Sequence, residues 1–540
     1  MDTPGSLDLI LQGGRVADGT GGPLVSADVG VRGARIAAIG ALNAAPAARL
    51  LDCTGLVVAP GFIDAHSHSD LTLLANPRAE SKVHQGVTTE VVGQCGMTVF
   101  PVREGDKGSL ADVCAFLDAD AEWSWTDAAG YLSALEAAGP SVNVAACVGH
   151  SAVRGSVLGF GEAEATPDDL ARMQRAAQEA FDQGAAGISF GLTYALGCFA
   201  SFEEVAALCR VAADAGRPCA IHIRDEGAGI LESIDEALHV ARASGARVHV
   251  AHLKAAGAAN WGRTAQAIER LERAAEDGLD VSFDAYPYTA GSRHLSGSLP
   301  AWAQAGSGKE IAARLHDPSA RERIRQHFAE RGPKAEHGAP DGGLDLSRTL
   351  ITAAKWPDDG EIVGKSVQQI ADERGADPVD CLLDLIAEQE GHVSCVLEMM
   401  SEADVERVLA HRLGCVASDG LAFAPYGPLA RGKPHPRCYG CFPRLLGRYV
   451  RERGLLSLED AVRKCTSYPA ERFGLPDRGV VRVGMAADLV VFDPRTIRDT
   501  ATYLDPHRYP EGVVYVLVNG QLTIDEGEHT GASAGRVFTF

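Results

Sequence analysis

GFIDAHSHSD (61–70) begins with an apolar run and ends with two histidines that are two residues apart. A short apolar run bounded by glycine is typical of a buried β-strand. Alternate residues of a strand point to the same side, so His66 and His68 can face the same space. This stretch therefore predicts a strand that carries two imidazoles at its C-terminal end.

Seven further candidate strands follow, and amphipathic helical stretches separate them. The stretches 168–184 and 202–216 each end at glycine, as helices often do. Glu80 and His84 fall on the helix after the first strand, where we expect both to face solvent. Strand and helix alternate about eight times, which indicates an α/β fold of the (β/α)₈ TIM-type barrel class. The predicted strands are 61–68, 88–95, 143–150, 185–190, 219–224, 248–254, 279–288 and 414–420.

The two ends of the chain differ from its middle. Residues 1–60 and 476–540 are rich in short alternating apolar runs punctuated by glycine, a pattern typical of β-structure. We therefore expect a small β-domain built from both chain termini, flanking a catalytic barrel over residues 61–475. The interval 289–413 is too long for a loop, so we expect an inserted subdomain or lid there.

Composition and charge exclude several classes of partner. The chain has 540 residues and a formal net charge of −22. Such a charge repels phosphate backbones and anionic lipid surfaces, so we expect neither a nucleic-acid nor a membrane partner. Residues 1–11 lack the basic start of a signal peptide, and the 13 cysteines show no disulfide-framework spacing, so we expect a cytoplasmic protein. The sequence leaves the oligomeric state open, and a homo-oligomer is one of the alternatives.

Residues of metal-ligand type fall where the predicted strands end. Active sites of this barrel lie at that end of the strands, and imidazole, thiolate and carboxylate groups are suitable zinc ligands. One such residue alone is more often a packed structural residue, but six at one rim predict a binuclear or adaptable metal centre. The six are His66, His68, Cys95, His222, His252 and Asp419.

The stretches around these residues resemble the D-aminoacylase family of the amidohydrolase superfamily. GFIDAHSHSD is similar to the first-strand motif of the superfamily, and the resemblance runs from about Leu7 to Phe492. It implies zinc as the cofactor and an N-acyl-D-amino acid as the small-molecule substrate, whose N-acyl amide bond is hydrolysed. The stretches that resemble the D-aminoacylase branch are VVGQCG, SFGLTY, HIRDEG, AHLKAAG, DAYPYTAGS, SDG and KPHPRCYGCFPRLLG.

The same resemblance implies a division of the metal ligands. Many amidohydrolases bridge two metals with a carboxylated lysine after the fourth strand, whereas this chain reads ISFGLTY there. The D-aminoacylase family uses a cysteine of the second strand instead, and Cys95 matches it. By resemblance, Cys95, His222 and His252 hold a tight zinc ion. A second, weaker site would use His66 and His68 with Cys95 shared, and whether one or two ions bind stays open.

Amide hydrolysis needs a nucleophile that is strong enough at neutral pH and stabilisation of the developing oxyanion, and zinc supplies both. Asp419 is the candidate general base, which takes a proton from the attacking water and passes it to the leaving nitrogen. A helix N-cap is the alternative role for this residue. The α-carboxylate of the leaving amino acid needs cationic or hydroxyl partners. By resemblance these are Lys254, Tyr286, Ser292 and Arg437, while Tyr194 would close over the metal or the oxyanion.

Three rival functions remain open on the sequence. A cyclic amidase such as a dihydropyrimidinase, hydantoinase or dihydroorotase usually carries the carboxylated lysine that is missing here. A hydrolase with Cys95 as its nucleophile would keep its activity in the presence of chelators. A metal-binding scaffold without activity needs neither Asp419 nor a carboxylate clamp. The sequence does not identify the preferred side chain of the substrate, and a broad or hydrophobic preference is the expectation.

Overall fold

The computed structural model describes residues 6–43, 45–117, 119, 121–330, 345–354 and 359–540. Eight short strands alternate with helices through the middle of this chain, and their side chains are buried on both faces, as in parallel sheets covered by helices. In chain order these strands are β1 (Phe62–Asp64), β2 (Val87–Val92), β3 (Asn143–Ala146), β4 (Ile188–Gly191), β5 (Cys219–His222), β6 (Val248–Val250), β7 (Val281–Ala285) and β8 (Gly414–Val416).

The eight strands close into a barrel. β1, β2 and β3 form one parallel sheet, and β4 to β8 form a second one. Val148–Gly149 continues β3 beyond Cys147 and pairs in parallel with β4, which joins the two sheets. On the opposite side, Ser67 and Gly420 form a parallel bridge just beyond β1 and β8. The predicted (β/α)₈ barrel is therefore confirmed.

The two quoted helical stretches are also confirmed. Pro167–Asp182 begins after Thr166, whose side chain accepts a hydrogen bond from the backbone N–H of Asp169. Phe202–Asp214 begins after Ser201, which caps its helix in the same way. The other helices outside residues 289–400 are Thr72–Ala75, Glu80–Val83, Lys107–Val113, Ala128–Ala138, His150–Leu158, Ile230–Ser244, Thr264–Glu276, Glu402–Ala410, Arg437–Arg444, Leu445–Glu452 (a π-helix), Leu458–Cys465 and Ser467–Arg472.

The prediction that Glu80 and His84 face solvent is wrong. Both side chains are buried. Glu80 accepts hydrogen bonds from Asn76 and Arg78, which satisfy its carboxylate. The ring of His84 stacks on Tyr509, with 3.9 Å between the ring centroids. A segment more than 400 residues away in sequence therefore covers this short helix.

The small β-domain contains strands from both ends of the chain, as predicted. Val57–Pro60 pairs antiparallel with Leu489–Phe492, so N- and C-terminal strands share one seven-stranded sheet. The limits placed at residues 60 and 476 stay a prediction. In spatial order the seven strands are Glu528–His529, Gln521–Asp525, Val513–Val518, Leu489–Phe492, Val57–Pro60, Arg15–Val16 and Val25–Ser26. A separate four-stranded sheet contains, in spatial order, Arg35–Gly40, Asp28–Arg32, Leu7–Gln12 and Ala47–Asp52.

A separate three-stranded sheet follows β7, inside the interval 289–413. Ala290–His294 pairs antiparallel with Val393–Glu398, which pairs with Thr349–Ala354. Residues 331–344 and 355–358 of this interval lie outside the described residues, and its extent and its role as a lid stay predictions. Besides Glu402–Ala410, named above, its helices are Ala301–Gln304, Gly308–His316, Pro318–Glu330, Asp359–Ile362, Val367–Arg374 and Pro378–Glu388.

The C-terminal tail lies at the N-terminal end of the barrel strands. Val537 forms a parallel bridge with Val144 of β3. Phe538 and Phe540 pack beneath the apolar side chains of the barrel interior, including Ala145. The tail therefore lies opposite the rim where active sites of this fold are found. Among the described helices, none is long and apolar enough to cross a bilayer.

Candidate metal centre and active site

The predicted ligands lie at or just beyond the C-terminal ends of the barrel strands. His222 is the last residue of β5, while His66 and His252 lie two residues beyond β1 and β6. Cys95 and Asp419 lie three residues beyond β2 and β8. All are buried. The strands are shorter than predicted, so most of these side chains project from the loops that follow them.

Cys95 is the centre of the cluster. Its Sγ lies 3.3 Å from His66 Nε2, 3.4 Å from His222 Nδ1 and 3.4 Å from His252 Nε2. Zinc–sulfur and zinc–nitrogen bonds of about 2.3 and 2.0 Å at a tetrahedral angle hold the two donor atoms about 3.5 Å apart. The spacing of the thiol and the imidazoles therefore fits a shared zinc ion.

Asp419 and His68 complete the predicted set. Asp419 Oδ1 lies 3.1 Å from His68 Nε2 and 3.5 Å from His66 Nε2. The ligand atoms of His66, Cys95, His252 and Asp419 all lie within 4.8 Å of one another. The structure thus brings together all six residues that the sequence placed at one rim.

The electrostatics of the cluster favour the ionised forms of Cys95 and Asp419. Burial raises the pKa of the Cys95 thiol, but His66, His252 and His222 outweigh burial and hold this pKa well below its ordinary value. The sulfur is therefore a thiolate, the form that binds metal. Burial also raises the pKa of Asp419, but Arg437 and His252 hold it well below its usual range, so this carboxylate is ionised.

Three of the cluster residues have backbone conformations that L-residues rarely adopt. Cys95, His252 and Asp419 have φ angles of +53°, +33° and +50°. Such conformations cost about 1–3 kcal/mol each and are concentrated at functional sites. The packing around Cys95 is correspondingly tight, because a Cβ on Gly191 would lie 2.1 Å from the Cys95 carbonyl oxygen. The glycine of SFGLTY is therefore required for Cys95 to keep its position.

Asp284, on β7, is a buried carboxylate behind the cluster that the motifs did not predict. Its carboxylate contacts His66 Nδ1 at 3.1 Å and His249 Nε2 at 3.0 Å, and accepts a hydrogen bond from the backbone N–H of His252 at 2.9 Å. Carboxylates that hold the outer nitrogen of a histidine orient its ring toward a metal. The available signal was the polar pair Ser282 and Asp284, two residues apart on an otherwise apolar strand.

Glu226 is a second carboxylate that was not assigned. Its Oε1 lies 2.9 Å from His252 Nδ1 and 3.6 Å from His222 Nε2, and it forms an ion pair with Lys254 Nζ. The quoted stretch HIRDEG contained it, four residues after His222. Spacing alone could not show that the side chain turns back toward the strand ends.

The predicted carboxylate clamp gathers around Tyr286. The guanidinium carbon of Arg437 lies 4.8 Å from the centre of the Tyr286 ring, and Lys254 Nζ lies 5.7 Å from it. Arg437 Nη1 also contacts Asp419 Oδ2 at 2.7 Å. Both cations are buried. A substrate carboxylate beside Tyr286 would therefore meet two positive charges next to the proposed base.

Two cavities meet at Asp419 and Ser292. One is lined by Cys95 and Tyr194, and the other by Arg437. Ser292 is half-buried on the inserted strand Ala290–His294, and the centroid of the Tyr194 ring lies 4.9 Å from that of the His222 ring. The cavities give space on either side of the cluster for the two arms of a substrate.

Comparisons with known proteins agree with this geometry. The model of the amidohydrolase family matches residues 49–524. The D-aminoacylase of Alcaligenes xylosoxydans xylosoxydans is 38% identical, over 98% of this chain and 97% of its own length. The chain belongs to the D-aminoacylase branch of the amidohydrolase family. The family resemblance predicted from the motifs is thereby confirmed.

Solved structures separate the D-aminoacylase branch from the cyclic amidases. The N-acyl-D-glutamate deacylase of Bordetella bronchiseptica, complexed with zinc and a phosphonate mimic of the tetrahedral intermediate, has a TM-score of 0.84 and 34% identity, over 99% of this chain and 100% of that chain. The L-hydantoinase (dihydropyrimidinase) of Arthrobacter aurescens has a TM-score of 0.57 and 17% identity, over 99% and 100%. The second likeness shows a shared fold alone.

Proposed function

We propose that this protein hydrolyses the N-acyl amide bond of N-acyl-D-amino acids, releasing a carboxylate and a free D-amino acid. The observation that carries the proposal is the contact of Cys95 Sγ with three imidazoles at 3.3–3.4 Å, next to Asp419. Relatives that share more than a third of its sequence along nearly its whole length are named as deacylases of N-acyl-D-amino acids.

Cys95, His222 and His252 would hold the tighter zinc ion, and His66 and His68, with Cys95 shared, would form a weaker second site beside Asp419. When bound, zinc supplies Lewis-acid chemistry and makes water a stronger nucleophile at neutral pH. The support is the donor spacing around Cys95 and its thiolate form. We thus propose one tightly bound zinc ion and room for a second, more weakly bound ion.

Asp419 would act as the general base and then as the general acid. Its carboxylate is ionised, faces the cluster, and borders both cavities. It can accept a proton from the attacking water and pass it to the amine nitrogen as the amide bond breaks. Arg437 holds the other oxygen of this carboxylate, which limits its rotation.

Arg437, Lys254, Tyr286 and Ser292 would bind the α-carboxylate of the substrate. The two cations supply charge-assisted hydrogen bonds, and the hydroxyl groups supply further donors. Tyr194, which lines the cavity beside Cys95, would close over the metal or the oxyanion. Selection of the D-isomer follows when the metal, the clamp and the side-chain cavity each fix one substituent of the α-carbon.

The test is amine release from a panel of N-acetyl-D- and N-acetyl-L-amino acids, with zinc-loaded and chelator-stripped protein. Zinc-dependent cleavage confined to the D series is expected, and the fastest substrate defines the side-chain preference. Cleavage that survives zinc removal would favour Cys95 as a nucleophile. Cleavage of dihydropyrimidines or hydantoins alone would replace the proposal with the cyclic-amidase alternative.

A further inference from the structure

We propose that Glu226 is a positioning residue that holds both histidines of the tight zinc site and the clamp lysine with one carboxylate, so that zinc affinity and substrate-carboxylate binding depend on the same side chain. This inference rests on the proposed function, because it assigns Lys254 to the clamp. It goes beyond that function by making the two binding events depend on one residue.

The backbone around Glu226 is fixed to the neighbouring strand-end loop. The carbonyl of Glu226 accepts a hydrogen bond from the N–H of Ala256, two residues after Lys254. Next to Glu226, the Asp225 carboxylate accepts a hydrogen bond from the N–H of Gly227. The loops that follow β5 and β6 are therefore joined at the place where the Glu226 side chain turns inward, which limits how far this carboxylate can move.

One carboxylate oxygen faces the outer nitrogens of both histidines. His252 directs Nε2 to Cys95 and Nδ1 to Glu226, at 2.9 Å. His222 is turned the other way round, with Nδ1 toward Cys95 and Nε2 toward Glu226 at 3.6 Å. A carboxylate that accepts a hydrogen bond from the outer N–H of a neutral imidazole leaves the inner nitrogen unprotonated and able to bind metal. Glu226 favours this tautomer in His252 through a hydrogen bond, and in His222 through the charge of the same oxygen near the outer nitrogen, although the two rings use opposite nitrogens.

Lys254 lies close enough to His252 to favour the other tautomer of this ring. Its Nζ lies 2.7 Å from His252 Nδ1 and can only donate hydrogen bonds. If Lys254 donated to Nδ1, the neutral ring would carry its proton on Nε2, the nitrogen that faces Cys95. Glu226 pairs with Lys254 and also contacts Nδ1, so it offers the ammonium group another acceptor. The carboxylate therefore keeps the lysine from selecting the tautomer that cannot bind metal.

The same ion pair directs Lys254 toward the clamp. Both partners are largely buried, with side-chain exposures of 5% for Lys254 and 13% for Glu226. A buried ammonium group without a counter-charge is costly, so the pair keeps Lys254 charged beside Tyr286. Removal of the carboxylate would leave His252 Nδ1 as the remaining acceptor for the ammonium group, or allow the lysine to leave the cleft.

The experiment compares Glu226→Ala, Glu226→Gln and Glu226→Asp with the wild type. Zinc affinity is measured by competition with a chromogenic chelator, which needs no turnover. Michaelis constants are measured for an N-acetyl-D-amino acid and for its α-carboxamide, which lacks the charge that Lys254 would bind. Glu232→Gln is the matched control, because it removes one exposed carboxylate from the helix that follows the same loop. Circular dichroism checks that each variant is folded.

We expect Glu226→Ala to lose about 10- to 100-fold in zinc affinity, the usual effect of removing an outer-shell partner. Its KM for the carboxylate substrate should rise about 10- to 100-fold while its KM for the carboxamide changes little, because the displaced lysine no longer donates a charge-assisted hydrogen bond to the substrate. Glu226→Asp should lose less zinc affinity and less substrate affinity than Glu226→Ala. Glu226→Gln should fall between the aspartate and alanine variants, and the Glu232→Gln control should match the wild type.

Two outcomes would overturn the inference. They are unchanged zinc affinity in folded Glu226→Ala, and a fall in zinc affinity with an unchanged ratio of the two Michaelis constants. Absence of any turnover by the wild-type protein would contradict the proposed function instead. In that case the zinc affinities still decide whether Glu226 positions the histidines.

Discussion

Asp419 and Arg437 form a buried ion pair, with Oδ2 and Nη1 2.7 Å apart and side-chain exposures of 9% and 1%. The proposed base and one cation of the proposed clamp are therefore direct neighbours. Arg437 also lies over the Tyr286 ring, so a substrate carboxylate can share the guanidinium without breaking its contact with Asp419. Arg437 would therefore take part both in the proposed proton transfer, through Asp419, and in the proposed binding of the substrate carboxylate.

Asp419→Asn should retain zinc and lose most of its turnover. Asparagine keeps the shape of the side chain but cannot take a proton from water, and general-base catalysis contributes about 10²–10⁴-fold. Metal analysis and kcat with an N-acetyl-D-amino acid check this. Loss of zinc equal to that of a ligand variant would make Asp419 primarily a ligand.

Cys95→Ala should lose both zinc and activity, because the thiolate contacts the imidazoles of His66, His222 and His252. Cys198→Ala is the control, since Cys198 is half-buried and is not part of the described ligand clusters. Metal content after gel filtration distinguishes the two. A Cys95→Ala protein that keeps its zinc would refute the assignment of this sulfur as the central ligand.

Arg437→Met should raise KM for substrates with an α-carboxylate about 10- to 100-fold, because a hydrogen bond to a charged group contributes about 1.5–3 kcal/mol. The corresponding α-carboxamides serve as controls, since they place no negative charge in the clamp. The ratio of kcat/KM between acid and amide is the measurement. An equal loss of kcat/KM for the acid and the amide would show that Arg437 acts only by holding Asp419.

His84 should make the fold sensitive to acid. Burial, together with the nearby His529 and Arg78 and against the effect of Glu80, lowers the pKa of His84 to about 4, whereas unfolded histidine titrates near 6.5. The unfolded chain therefore binds more protons between these values. Stability is fully present above pH 6.5 and is lost as pH falls toward 4, by up to about 3 kcal/mol.

His84→Phe keeps an aromatic ring against Tyr509 and removes this titration. The fall in thermal unfolding temperature between pH 7 and pH 5 should be smaller in the variant than in the wild type. His239→Phe, at an exposed position, should leave that fall unchanged. Equal acid sensitivity in His84→Phe and the wild type would contradict the prediction.

Phe538→Ala should destabilise the protein by about 2 kcal/mol and leave kcat/KM unchanged. The Phe538 ring packs beneath the barrel and against the Arg478 guanidinium at 4.7 Å, at the end of the barrel opposite the site. Phe202→Ala removes a ring that is 37% exposed and should cost less. Thermal unfolding and steady-state kinetics measure both effects, and a loss of activity at full stability would show that the tail acts on the site.

Most of the barrel could be predicted because its signals are local. Each predicted strand overlaps a strand of the structure, although the observed ones are shorter, since pairing ends where the loops turn toward the site. The six ligand-type residues could be grouped because parallel strands deliver their C-terminal ends to one rim. His84 was misplaced because Tyr509, which covers it, comes from a distant part of the chain.

The sequence by itself determined the alternation of strands and helices, the family and the candidate residues at the rim, because strand periodicity and motif chemistry are properties of short stretches. Only the tertiary structure showed that Asp284 and Glu226 stand behind the histidines, that Arg437 pairs with Asp419, and that the C-terminal tail lies beneath the barrel. These contacts join residues that are far apart in the chain or project from loops. Their direction depends on how the loops pack, which no local pattern records.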